Sequence, residues 1–257
     1  MVYALFELLS IVDGTDASSI VSTLILTLLV LENEMAELQA NWPHYTIGIV
    51  IYPGMTALDI VGPQTVFAGL PNVEIHRVWK TLEPITGDDG ITILPDTTFA
   101  NCPTVDVICI GGGRGQSAVV DDVELLDFLK SQGEKAKFVT SVCSGSEFLA
   151  KAGLLEGYRA ATHWAARPLL AKLGVEVGTE RVVVDRNRMT GGGVTAGIDF
   201  GLTVAKALYG EETAKISQLL MEYDPAPPYD VGSPEKAGPE LTEKAMQYMA
   251  QTMGAKL

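Results

Sequence analysis

The chain has 257 residues, 47% of them hydrophobic, and carries 32 acidic against 18 basic side chains for a formal net charge of −14. That is enough apolar material for a full α/β core, while the acidic balance, with no basic cluster to neutralise phosphates, argues against nucleic acid as a partner. Three Cys without repeated spacing make neither a disulfide framework nor a zinc site and point to a reducing compartment, the cytoplasm.

Residues 1–44 read as an appended, helical extension of unknown role. Residues 1–12 are apolar apart from Glu7, Asp13-Gly-Thr-Asp16 interrupts them, 17–31 are uncharged and Leu-rich, and 32–39 suit a polar helix. The uncharged run is shorter than the about 20 residues that cross a bilayer, so no stable membrane insertion is expected. No Lys or Arg precedes Arg77, which excludes the basic residues of an export signal or transit peptide.

From Tyr45 to the C-terminus the pattern is that of one domain. Residues 45–52 are a continuous β-branched run ending at Pro53-Gly54, as in a strand buried on both faces. A helix is expected over 59–70, with Gly62-Pro63 in its first turn. Strands are expected over 73–79, 90–94 and 105–110, the last closing on Gly111-Gly-Gly-Arg-Gly115, followed by an amphipathic helix over 123–132. A strand from Phe138 runs into Val142-Cys-Ser-Gly-Ser146 and a helix to Gly153. A short strand at 159–162 delivers His163-Trp164 to another helix, and 181–190 suit a hairpin turning at Asn187. Gly191-Gly-Gly193 opens a helix over 194–209; a helix at 214–221, a proline-rich loop at 225–234 and a last helix from about Leu241 complete the chain. Strands alternating with helices describe a doubly wound, mostly parallel sheet with helices on both faces, whose ligands collect at the carboxyl ends of the strands. Three turns are expected to converge there: 53–59, 111–115 and 142–146.

Cys143 stands where a strand passes through small residues into a helix, the arrangement of a nucleophile elbow. A thiol at a helix N-terminus can fall from about 8.5 to roughly 3.5–7.5. Cys102 and Cys109 read as core residues. Asp59 suits either a first-turn helix carboxylate or an acid of the site. Gly112 and Gly113 suit either a tight turn or backbone N–H groups aimed at developing negative charge; without a following Lys and Ser or Thr, they form no phosphate loop. His163 suits either a Cys–His dyad or a structural role beside Trp164.

Leu58-Asp-Ile-Val-Gly-Pro63, Val105-Asp-Val-Ile-Cys-Ile-Gly-Gly-Gly113, Thr140-Ser-Val-Cys-Ser-Gly-Ser146, Ala161-Thr-His-Trp164, Thr190-Gly-Gly-Gly-Val-Thr-Ala-Gly-Ile-Asp-Phe200 and Glu222-Tyr-Asp-Pro-Ala-Pro-Pro228 together resemble the DJ-1/PfpI superfamily, and within it the isocyanide (isonitrile) hydratases. The resemblance implies a flavodoxin-like fold of the class I glutamine amidotransferase kind, a homodimer, no metal and no organic cofactor. It implies Cys143 as nucleophile and Asp59 as the acid beside it. The hydroxyl residue that follows the Cys, usually Thr in the hydratases, is Ser144 here; superfamily proteases have His there. His163, Gly192 and Val194 would support this set.

An isocyanide carbon accepts a thiolate when a proton arrives with it, so the site needs a nucleophile and an acid at one atom. At about 3.5 Å and an effective dielectric near 20, thiolate and carboxylate would repel by roughly 5 kcal/mol, or about 3.5 pKa units, so Cys143 and Asp59 should share one proton. Another enzyme of the superfamily, glyoxalase- or deglycase-like, and a thiol redox or ligand sensor remain as alternatives on sequence.

Overall fold

The computed structural model describes residues 25–30 and 41–253. The chain divides into two units, Met1–Pro43 and His44–Leu257. In the first, residues 25–30 are helical with Ile25, Leu26, Leu28, Leu29 and Val30 exposed. The expectations for 1–24 and 31–40 lie outside the described residues. Among the described residues no helix is long and apolar enough to cross a membrane.

The second unit begins with β1 (Tyr45–Val50), α1 (Ala57–Ala68), β2 (Val73–Trp79), β3 (Ile85–Thr86), β4 (Thr92–Ile93), β5 (Thr97–Thr98) and β6 (Val107–Ile110). There follow α2 (Gln116–Val119), α3 (Val123–Gly133), β7 (Phe138–Ser141), a 3₁₀ turn at Cys143–Gly145, α4 (Ser146–Lys151) and β8 (Arg159–Ala160). The remainder is α5 (Arg167–Lys172), β9 (Glu176–Val177), β10 (Val182–Asp185), β11 (Arg188–Gly191), α6 (Ala196–Tyr209), α7 (Glu211–Leu220) and α8 (Pro234–Met253).

Seven strands form one sheet in the order β10-β11-β7-β6-β1-β2-β5. All its pairings are parallel except that of β10 with β11. A parallel sheet must be covered on both faces, which is why its central strands β1 and β6 read as near-continuous apolar runs. Ile47, Ile49, Val50, Ile51 and Tyr52 are completely buried, α1 packs against α6, and α3 packs against α4.

The register places the site. Val50 pairs with Ile110, Ile110 with Ser141, and Ser141 with Thr190. Four strands therefore end level, and the turns after them leave the sheet at one edge. The fourth of these, at Gly191–Gly193, joins the three expected from sequence.

The differences from the expected elements are local. The run at 90–94 yields the two-residue β4, which pairs with β3 outside the main sheet. The hairpin forms, but Arg186 and not Asn187 takes the left-handed conformation, with φ 55°. Helix α7 starts at Glu211 because Gly210, at φ 88°, ends α6 and starts α7 at one residue. Helix α8 begins at Pro234 and breaks at Gly238, φ 76°.

Candidate active site

Val142 is extended, at φ −126° and ψ 148°, and Cys143 then turns left-handed at φ 58°. For a residue with a Cβ this costs about 1–2 kcal/mol, so neighbours must hold it. The Cys143 N–H donates to the Gly192 carbonyl at 2.7 Å, and Thr162 Oγ1 donates to the Cys143 carbonyl at 3.1 Å. Gly192 is itself fixed by its N–H on the Arg181 carbonyl at 2.8 Å. The elbow is thus braced from two other loops, and it lifts the thiol off the end of β7 as the sequence pattern suggests.

Gly145 allows the elbow to lie against the β6 turn. A Cβ on it would sit 2.4 Å from the Ile110 carbonyl oxygen, a backbone atom that cannot swing aside. Gly145→Ala is expected to destabilise the domain by about 3 kcal/mol, the upper part of the range for overpacking; thermal unfolding followed by circular dichroism measures it.

Asp59, in the first turn of α1, is completely buried. It does not cap its own helix. Its Oδ2 accepts the Gly112 N–H at 2.8 Å, while Oδ1 is buried without a hydrogen-bond partner. Burial raises this carboxyl from 3.8 to about 7, against the pull of the Gly112 N–H and the Cys143 thiol. The thiol and the carboxyl are near enough to perturb each other, although Oδ1 makes no well-formed hydrogen bond.

The thiol corrects one expectation. A place before a helix favours a depressed pKa, yet burial, and after it the neighbouring Asp59, drive Cys143 well above an ordinary thiol. The Ser144 backbone N–H opposes them without prevailing. A single 3₁₀ turn leading into a six-residue helix contributes too little field to offset desolvation beside a carboxylate.

Gly112 corrects another. Its N–H is spent on Asp59 and is not aimed at substrate; the residue's lack of a side chain serves packing, since a Cβ there would lie 2.3 Å from Ser144 Oγ. Gly113, at φ 145°, is a tight turn, where a Cβ would strike the backbone of Met55 and Thr56 at 2.5 Å.

Ser144 Oγ donates to Gln116 Oε1 at 2.7 Å. His163 takes the structural role: its Nδ1 accepts the Ala165 N–H at 3.3 Å, and burial together with Arg167 lowers its pKa, keeping it neutral. The groups acting on the thiol are Asp59 and Ser144, not His163. The Val194 carbonyl accepts the Gly197 N–H at 3.3 Å in the turn leading into α6.

Sequence reasoning missed Gln116, Glu147, Thr162 and Tyr52. Tyr52 is completely buried, donates its O–H to the Gly111 carbonyl at 3.2 Å and meets Phe148 edge-on at 5.2 Å between centroids. Each acts through a contact 28 or more residues away, except Thr162 at 19, so local pattern carried no signal. Among the described residues no cluster of His, Cys, Asp and Glu is arranged to hold a metal ion.

Known proteins share this arrangement of elements. Over 207 residues the chain is 48% identical to the isonitrile hydratase of Pseudomonas putida, a match covering 80% of this chain and 91% of that protein. It is 32% identical over 186 residues to the HTH-type transcriptional regulator GbdR of Pseudomonas aeruginosa, covering 68% of this chain and 50% of the regulator. A solved ThiJ/PfpI family protein from Pseudomonas syringae superposes with a TM-score of 0.79 at 42% identity, covering 82% of this chain and 88% of that one. Residues 45–207 match the model of the DJ-1/PfpI family, and the chain belongs to that family.

Proposed function

We propose that this chain hydrates organic isocyanides to N-substituted formamides, with Cys143 as nucleophile and Asp59 as general acid and base. The observation that carries the reading is a completely buried carboxyl with one oxygen held by Gly112 and the other unpartnered, beside a thiol on a strained elbow. The 48% identity to an isonitrile hydratase supports the choice of substrate.

An isocyanide R–N≡C presents a carbon that is both electrophile and proton acceptor. Sulfur bonds to that carbon as the proton shared by the pair moves onto it, giving the thioimidate R–N=CH–S–Cys143. Asp59, now a carboxylate, draws a proton from water as the water oxygen bonds to the same carbon. The carbon–sulfur bond then breaks and R–NH–CHO leaves. One hydrogen of the water ends on nitrogen and the other restores the pair. Ser144 orients the nitrogen or the water. On this reading residues 45–257 are the catalytic domain, residues 1–44 lie outside it, and the working form is a homodimer.

The GbdR match keeps a ligand-sensing role as a second reading, since half of a regulator aligns with this chain. One assay separates the possibilities: purified protein with a small and a bulky isocyanide, following formamide directly, and in parallel with methylglyoxal. Formamide from either isocyanide with methylglyoxal untouched is the expected result. Consumption of methylglyoxal without formamide, or turnover of neither, would overturn the hydratase reading.

A further inference from the structure

The Ser144 hydroxyl has one hydrogen, and the structure fixes where it points. Gln116 is buried, and its amide spans two sides of the elbow. Its Nε2 faces the Ser144 carbonyl at 3.2 Å and Glu147 Oε2 at 2.5 Å. Both are acceptors, so reversing the amide would set oxygen against oxygen. The amide oxygen is therefore the end that meets Ser144 Oγ at 2.7 Å, and because a carbonyl oxygen cannot donate, the hydroxyl must. Glu147, near Lys151 and Asp121, anchors the far end of the chain.

The Ser144 side chain also reaches the Cys143 thiol. With its hydrogen committed to Gln116, it offers the reacting atoms lone pairs alone. We propose that Gln116 is a positioning residue that holds the Ser144 hydroxyl as an acceptor toward the thiol and substrate, so that Asp59 supplies the proton to carbon. Resting on the hydratase reading, this sharpens the part played by Ser144: it accepts from the forming N–H or from the attacking water and does not protonate the substrate. The arrangement also withholds from sulfur a donor that would favour the thiolate before substrate arrives.

Gln116→Met keeps side-chain length and removes both ends of the link. The freed hydroxyl can then swing its hydrogen toward sulfur. Alkylation of Cys143 by iodoacetamide without isocyanide, followed at the Cys143 peptide across pH, should shift to lower pH and speed up about three- to tenfold at neutral pH, while kcat for formamide falls by a similar factor, the weight of one hydrogen bond. Asp59 and Tyr52 are the titratable groups near the thiol, with Ser144 beside it, and none of the three is substituted in this variant. Glu147→Gln, whose new amide no longer fixes that of Gln116, should give a smaller change in the same direction and keeps the test alive if Gln116→Met is unstable. In a Ser144→Ala background Gln116→Met should change neither quantity. Slower alkylation together with slower turnover, an unmoved alkylation profile in both variants, or a shift that persists without the Ser144 hydroxyl would overturn the assignment. A wild type that makes no formamide removes the hydratase reading but not the alkylation result, which decides the role of Gln116 by itself.

Discussion

Replacing Cys143 by alanine is expected to reduce formamide production from any isocyanide to the uncatalysed background. The carbon of an isocyanide needs a bond from a nucleophile at the moment it takes a proton, and on our reading the sulfur at the elbow supplies it. Asp59 alone cannot, because on the same reading its carboxyl is the group that gives the proton to that carbon, and burial raises it to about 7, which favours the protonated, non-nucleophilic form. The fold should survive the change, because alanine keeps the Cβ at the same left-handed position and the bonds to Gly192 and from Thr162 are made by the backbone of residue 143. Cys143→Ser should be equally inactive: a hydroxyl in this desolvated place beside a carboxyl gives up its proton far less readily than a thiol. Formamide followed by chromatography, with circular dichroism as the control for folding, measures both.

Asp59→Asn is expected to lower kcat by about 10²- to 10⁴-fold, the contribution of one positioned acid–base group. An amide can still accept the Gly112 N–H, so the loop stays anchored while the exchangeable proton is lost. The same variant should reveal a cost in stability. The wild-type carboxyl moves from an ordinary 3.8 to about 7 on folding, with burial as the first cause. A group raised in this way stabilises the fold while protonated; the unfolded chain ionises it from about pH 4, the folded one only near 7. That contribution, on the order of 4 kcal/mol at most, is present below pH 4, is lost as the pH rises, and is gone above about 7. Asp59→Asn should therefore be the more stable protein at pH 8 and should lose the wild type's decline between pH 4 and 7, as thermal unfolding across pH measures. Turnover runs the other way in the wild type. Below about 7 the pair holds two protons and above it one, and the one-proton form contains the thiolate-plus-acid tautomer, so kcat/KM should rise through about pH 7 to a plateau.

Strand and helix order was legible because burial on both faces leaves an unmistakable trace: Val105 to Ile110 and Tyr45 to Tyr52 can be little else than central strands. Two-residue strands such as β5 leave no such trace; they exist because a neighbour offers a free edge. The elbow bearing Cys143 and the first-turn position of Asp59 were legible in the turns themselves, whereas the two roles open to Asp59 were not separable there. What sat beyond reach were consequences of distance in the chain. Gly112 donates to Asp59 across 53 positions, and Gln116 grips Ser144 across 28, so neither the use of the one N–H nor the direction of the one hydroxyl could be read from local pattern. The thiol pKa went the opposite way for the same reason. Helix and Cys are adjacent in sequence, whereas the burial and the carboxyl that outweigh the helix come from the folded chain.

The pairing of Cys143 with Asp59 on a single carbon is tested most directly by a single turnover with limiting isocyanide, quenched in acid at successive times and analysed by intact mass and peptide mapping. The account predicts a species heavier by one whole isocyanide, located on Cys143, that rises before formamide and falls as formamide appears. Formamide forming at the full rate while Cys143 stays unmodified at every time point would contradict it.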